Sequence, residues 1–196
     1  MQLVDFNNLE PQETLNHTSK GNQLKWKYDG YWYKADHMGY EGLAESIVSA
    51  LLERSSIKYP FVKYEYSKIL YHGRTYNGCR SENFILKNSR ATLIPLEKLY
   101  RSYTGGSLAI DTAKQGDVQE RIKFLVDFVE KHTGIRDFGP YLTAMLEVDA
   151  FFLNEDRHTN NIAVLIPMRP IRSVRCSTMA CHSYPTPVWI FLWNDH

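Results

Sequence analysis

The chain lacks most of the features that would sort it quickly. Its 196 residues include no apolar run long enough to cross a bilayer, which takes ~20 consecutive apolar residues as a helix. A helical membrane protein is thereby excluded and no membrane partner is expected. The opening residues, "MQLVDFNNLEPQETLNHTSKG", have neither a basic start nor an apolar core, so no secretory leader is expected. An excess of one charge is missing too. Lys and Arg number 23 against 22 Asp and Glu, for a net charge of +1, whereas a dedicated nucleic-acid binder shows a basic excess. Direct nucleic-acid binding is not expected. Cysteine is scarce: Cys79, Cys176 and Cys181 suit a reducing compartment better than a disulfide framework. The segment "CSTMACH" lacks the second ligand pair that tetrahedral zinc needs. What remains is globular composition, 43% hydrophobic and 23% charged, enough for one domain or two small lobes sharing a cleft. The expected location is the cytoplasm.

Local patterns give an α+β order. Residues 19–36, "SKGNQLKWKYDGYWYKAD", read as a β-hairpin, with Asp29-Gly30 as a strong two-residue turn between "LKWKY" and "YWYKA". The next segment, "MGYEGLAESIVSALLERS", carries Leu43, Ile47, Ala50 and Leu51 at helical spacing, the mark of an amphipathic helix. "FVKYEYSKILY", "RTYNGCRSENFI" and "ATLIPLEKLY" are rich in aromatic and β-branched residues and read as strands. A β-rich lobe with one helix is therefore expected over residues 1–90. Residues 91–166 are expected to be the start of a helical lobe. "DVQERIKFLVDFVEKHTGI" places Val118, Ile122, Leu125, Val126 and Val129 on one face, with Gly134 as its stop. "FGPYLTAMLEVDAFFLN" is a second apolar helix with Pro140 in its first turn, and "IAVLI" is a short buried strand.

Between that last helix and strand lies "NEDRHTNNIAVL", residues 154–165. Charge is costly to bury unless it is paired or holds a metal, so this stretch is a candidate site rather than a plain polar turn. Asp156 and Asn161 stand five residues apart in it. Phosphoryl transfer uses that pairing: a carboxylate takes the proton of the attacking hydroxyl, and an amide oxygen helps hold magnesium on the phosphates. It also needs a lysine that reaches the α- and β-phosphates. Lys34, at the end of "YWYK", stands where such a lysine would sit, and Glu45 in the following helix could fix its position.

"NEDRHTNNIAV" resembles the catalytic loop of HipA-like kinases, particularly the short CtkA-like branch, and is similar to the D-R-H-x-x-N loop of phosphatidylinositol 3-kinase-like enzymes. "GYWYKAD…GYEGLAESIVSALL" resembles that branch's lysine strand and glutamate helix, and "GCRSENFI", residues 78–85, its hinge strand beside the adenine. The resemblance runs from about residue 19 to residue 166. It implies a protein-kinase-like two-lobe fold with an incomplete helical lobe, and a serine/threonine protein kinase that uses ATP and Mg2+. Residue by residue, it implies Asp156 as catalytic base, Asn161 as a magnesium ligand and His158 as a support of the loop. Lys34 would bind phosphate with Glu45 as its partner, or Glu41, one turn earlier, in its place. Ser19, Gly21 and Asn22 would cover the phosphates, and Glu82, Asn83 and Phe84 would lie along the nucleotide. The implied partners are ATP, a protein substrate or the chain itself, and an antitoxin-like protein of a toxin–antitoxin pair.

One part of that pattern is missing. The resemblance implies a second metal carboxylate in an F-D-N-G-like segment soon after the loop, and none follows "IAVLI". Residues 167–196 instead hold four of the chain's eight prolines and end in the apolar run "VWIFLW". A frame shift of "CSTMA" that starts each codon on the third base of the old one permits F-D-N-G. The tail is therefore expected to be the out-of-frame remnant of a longer kinase gene, and the chain a truncated form with impaired activity or a catalytically dead fragment.

Overall fold

The computed structural model describes residues 2–12, 23–83, 91–155 and 157–167. The chain divides into two compact units, on either side of residues 86 and 87. The fold is mixed α+β in both.

The first unit is a five-stranded sheet with one helix. Its strands are β1 (Gln2–Asp5), β2 (Lys25–Tyr28), β3 (Tyr31–Ala35), β4 (Tyr64–Tyr71) and β5 (Arg74–Glu82), in the order β1-β4-β5-β3-β2. β1 runs parallel to β4, and the other pairs are antiparallel. Two tight turns set the register. Asp29 and Gly30 both have positive φ (47° and 81°), as do His72 and Gly73 (48° and 71°), the backbone that a twisted two-residue hairpin demands. The Asp29-Gly30 turn was legible in the sequence; the His72-Gly73 turn and β1 were not. One sheet face buries Phe6, Trp26, Tyr33, Ala35, Ile69 and Tyr71. Phe6 stacks on Trp26 at 5.1 Å, and the Trp26 Nε1–H, which burial would otherwise orphan, donates to the Leu9 carbonyl at 3.0 Å.

The helix α1 (Glu41–Leu52) packs on β4 and β5, and here the expected face is wrong. Leu43, Ile47 and Leu51 are 48%, 50% and 48% exposed, while Gly42, Glu45, Val48, Ser49 and Leu52 are buried. Backbone contact overrules the apolar stripe. A Cβ on Gly42 would stand 2.2 Å from the Gly78 carbonyl carbon, and one on Gly78 would stand 2.1 Å from the Lys34 carbonyl oxygen. Only glycine allows such an approach, and with Gly42 against β5 the helix turns its Glu45 side inward.

The second unit holds a two-stranded sheet and four helices. β6 (Ala91–Pro95) pairs antiparallel with β7 (Ala163–Pro167), from Ala91 opposite Pro167 to Pro95 opposite Ala163. The helices are α2 (Leu96–Thr104), α3 (Leu108–Ala113), α4 (Val118–Thr133) and α5 (Phe138–Phe151). The "LEKLY" part of the expected third strand is thus the start of α2, a helix that follows β6 directly. α3 was not foreseen. The α4 ends follow the sequence signals: the Asp117 side chain accepts the Glu120 N–H at 2.8 Å, and Gly134 closes the helix with φ 76°. Its inward face centres on Phe128 and Val129, whereas Val118 is 65% exposed. Leu96, Leu108, Phe138, Leu142, Met145 and Val164 complete the core. Among the described residues no helix is long and apolar enough to cross a membrane.

Candidate functional site

In the first unit, strand alternation decides where Lys34 points. Tyr33 and Ala35 lie in the aromatic core, so the residue between them emerges on the opposite face, under α1. Lys34 is only 8% exposed there, and Glu45 4%. A buried charge on either residue alone would be strongly unfavourable; together they form an ion pair, Lys34 Nζ to Glu45 Oε1, at 3.5 Å. Lys34 Nζ also donates to Tyr64 Oη at 3.4 Å and stands over the Tyr64 ring, 4.9 Å from its centre. The second Glu45 oxygen accepts a hydrogen bond from Cys79 Sγ at 2.7 Å. Cys79 is the β5 residue directly opposite Lys34. Burial, and then the Glu45 carboxylate, push the Cys79 thiol well above its ordinary range, so it stays a donor.

Glu41 does not take Glu45's place. Its carboxylate folds back on the N–H groups of Met38 (2.8 Å), Gly39 (3.0 Å) and Tyr40 (3.2 Å). Burial pushes Glu41 up, but those N–H groups outweigh it and hold the carboxyl below its ordinary value. Asp36 joins the cluster at the start of α1, where its Oδ1 accepts the Gly42 N–H at 2.7 Å. Its Oδ2 is buried with no partner among the described residues. Burial raises the Asp36 carboxyl to about 6; the Gly42 N–H opposes the shift, and the Glu41 and Glu45 charges add to it. Cys79, Tyr64 and Asp36 were not anticipated. Only the strand register and the Gly42–Gly78 contact bring them to Lys34, and neither shows in a linear sequence.

Of the expected hinge, Glu82 ends β5 opposite Tyr31. The Asn83 N–H donates to the Gly30 carbonyl at 2.8 Å, and its Oδ1 accepts the Trp32 Nε1–H at 3.3 Å. Phe84, and the expected phosphate-covering residues Ser19, Gly21 and Asn22, lie outside the described residues.

In the second unit, the loop after α5 is built around Arg157. Its Nε and Nη2 grip Asp149 Oδ2 and Oδ1 at 2.7 and 2.8 Å, and both side chains are 5% exposed. Such a two-pronged, fully buried pair is the strong form of the interaction. Asn154 Nδ2 donates to Asp149 Oδ1 at 2.7 Å, and Arg157 Nη1 reaches the Asn161 carbonyl at 3.3 Å. Asn161 is buried, and its N–H donates to the His158 carbonyl at 2.9 Å. His158 is exposed; its Nδ1 accepts the Asn160 N–H at 3.2 Å. Asp156 lies outside the described residues. A second anchor comes from α2, where Glu97 Oε2 accepts the Thr159 hydroxyl at 2.9 Å and the Ala109 N–H at 3.1 Å. Burial pushes Glu97 up, but the Ser107 and Thr159 hydroxyls and the Ala109 and Leu108 N–H groups hold it below its ordinary value. Asp149 and Glu97 were missed because each is a single acid inside a segment otherwise read for its apolar residues.

Beside this loop lies an open cavity of about 320 Å3, lined by Ile122, Leu125, Leu142, Leu146, Arg157 and His158 among others, but not by Asn161. Among the described residues no three His, Cys, Asp or Glu side chains gather as metal ligands would.

A strand lysine paired to a helix glutamate, followed in the chain by a helical unit that holds a polar loop ahead of a strand, is arranged on a kinase-like fold. One solved structure with this likeness is the Helicobacter pylori proinflammatory kinase CtkA. It superposes with a TM-score of 0.55 at 16% sequence identity, over 84% of this chain and 55% of that one. The chain thus spans about half the length of the kinase it matches. No protein-family model and no curated protein matches the sequence.

Proposed function

We propose that the chain is a HipA/CtkA-like kinase that binds ATP and transfers its terminal phosphoryl group slowly to a serine or threonine hydroxyl, on a protein or on itself. The observation that carries this reading is the buried Lys34–Glu45 pair. A lysine in a sheet face is ordinarily a solvated residue; holding it buried under a helix beside a carboxylate is costly and needs a use, and fixing an ammonium for phosphate is one. In this reading Lys34 binds the phosphates, Glu45 holds Lys34 in place, and Ser19, Gly21 and Asn22 cover the phosphates. Glu82, Asn83 and Phe84 lie along the adenine. Asp156 accepts the acceptor hydroxyl's proton, His158 supports the loop, and Asn161 offers its amide oxygen to the metal.

Magnesium supplies charge neutralisation on the phosphates in such transfers. The fit to it here is partial: Asn161 is a neutral donor, whereas the hard cation prefers carboxylates, and both Asp149 oxygens are engaged by Arg157 and Asn154. No F-D-N-G-like segment follows the loop in the sequence. ATP binding is therefore expected to outlast efficient transfer, and a nucleotide binder without transfer is the second reading.

Calorimetric titration with ATP and incubation with γ-labelled ATP, each with magnesium or manganese, separate these. Lys34→Met is expected to abolish binding, and Asp156→Asn to abolish transfer with binding intact. Label that never moves, with binding retained, selects the second reading. Binding that survives Lys34→Met unchanged refutes both.

A further inference from the structure

The loop at residues 157–162 is tied down from outside, and its tightest tie is the buried ion pair of Arg157 with Asp149. Asp149, in the last turn of α5, accepts three side-chain hydrogen bonds, two from Arg157 and one from Asn154. A guanidinium is a rigid planar fork. With Nε and Nη2 both committed to one carboxylate the guanidinium plane is fixed, and Nη1 donates to the Asn161 carbonyl at 3.3 Å. The Asn161 N–H closes the turn on the His158 carbonyl at 2.9 Å. The Arg157 side chain therefore ties the loop backbone to α5.

We propose that Asp149 is the positioning residue of the Asn161 loop: acting through Arg157, it fixes where the Asn161 amide points and so governs phosphoryl transfer without touching nucleotide or acceptor. This rests on the kinase-like reading above. The competing role for Asp149 is plain neutralisation of a buried guanidinium. The two roles part when both charges are removed together, because that leaves no unpaired ion and tends to restore stability while the fork stays lost.

The test uses the full chain with Asp149→Asn, Arg157→Lys and the double variant Asp149→Asn/Arg157→Gln. Amide hydrogen exchange of residues 157–161 is expected to be at least about tenfold faster in all three, as local opening becomes easier. In the double variant it stays fast although the melting temperature returns towards wild type. Transfer from labelled ATP is expected to fall about a hundredfold, the scale of a 1 Å misplacement, with the KM for ATP unchanged. Arg157→Lys keeps both charges paired, so it reports the loss of the fork even where the double variant fails to fold. Wild-type exchange at residues 157–161 in Arg157→Lys overturns the proposal, as does undiminished transfer in a variant whose loop amides have loosened. A wild-type chain that binds no ATP sinks the kinase-like reading instead, and the loop amides still decide whether Asp149 positions Asn161.

Discussion

Each unit buries one ion pair of interest, and the two are built differently. In the first unit, Lys34 meets Glu45 at 3.5 Å and shares its charge with the Tyr64 phenol and ring. In the second, Arg157 locks Asp149 through two contacts of 2.7 and 2.8 Å. Lysine is a point charge on a flexible stem, whereas arginine is an oriented fork. The looser pair suits a cation that must also serve a ligand, and the tighter pair suits a brace.

The sharpest way to break this contrast is to remove one carboxylate from each. Asp149→Ala strands a buried guanidinium and is expected to cost about 3–5 kcal/mol, read as lost hydrogen-exchange protection in α4 and α5. Glu45→Ala is expected to cost less, because Lys34 keeps Tyr64 beside it. Equal losses would erase the distinction between brace and ligand holder. A smaller effect tests how the first pair is brought together. Gly42→Ala forces a Cβ into the Gly78 backbone and is expected to destabilise the first unit by about 1–3 kcal/mol, as overpacking does, as measured by denaturant unfolding.

The third prediction concerns pH. Asp36 is raised from its ordinary 3.8 to about 6 in the folded chain. A carboxyl raised on folding favours the folded state below its unfolded value, and that advantage disappears as pH rises through 6. The wild type is therefore expected to lose about 2 kcal/mol relative to Asp36→Asn between pH 4 and pH 7. Asn keeps an acceptor for the Gly42 N–H. Parallel stability curves for the two proteins over that range would show that Asp36 ionises freely.

What could be read from the sequence was local. The Asp29-Gly30 turn, the Asp117 and Gly134 ends of α4 and the Pro140 start of α5 each follow from one or two residues and their backbone preferences. Lys34 and Glu45 were singled out by order along the chain, and the strand and helix bring them together. What failed was set by contacts between distant segments. The Leu43, Ile47 and Leu51 stripe predicts the wrong buried face because it cannot register that Gly42 meets Gly78, 36 residues later. Asp149 was hidden for a similar reason: an acid in an apolar helix gives no sign of the arginine that will claim it. Asp156, Ser19, Gly21, Asn22 and Phe84 lie outside the described residues.

The meeting of Gly42 with Gly78 has a mechanical side. Where main chain rests on main chain there is no side chain to swing aside, so α1 has a fulcrum near its first turn and little freedom to roll about its own axis. Glu45 lies three residues beyond that fulcrum. A tilt pivoting there would lift the carboxylate away from Lys34 as a short lever, moving the far end at Leu52 more than the near one.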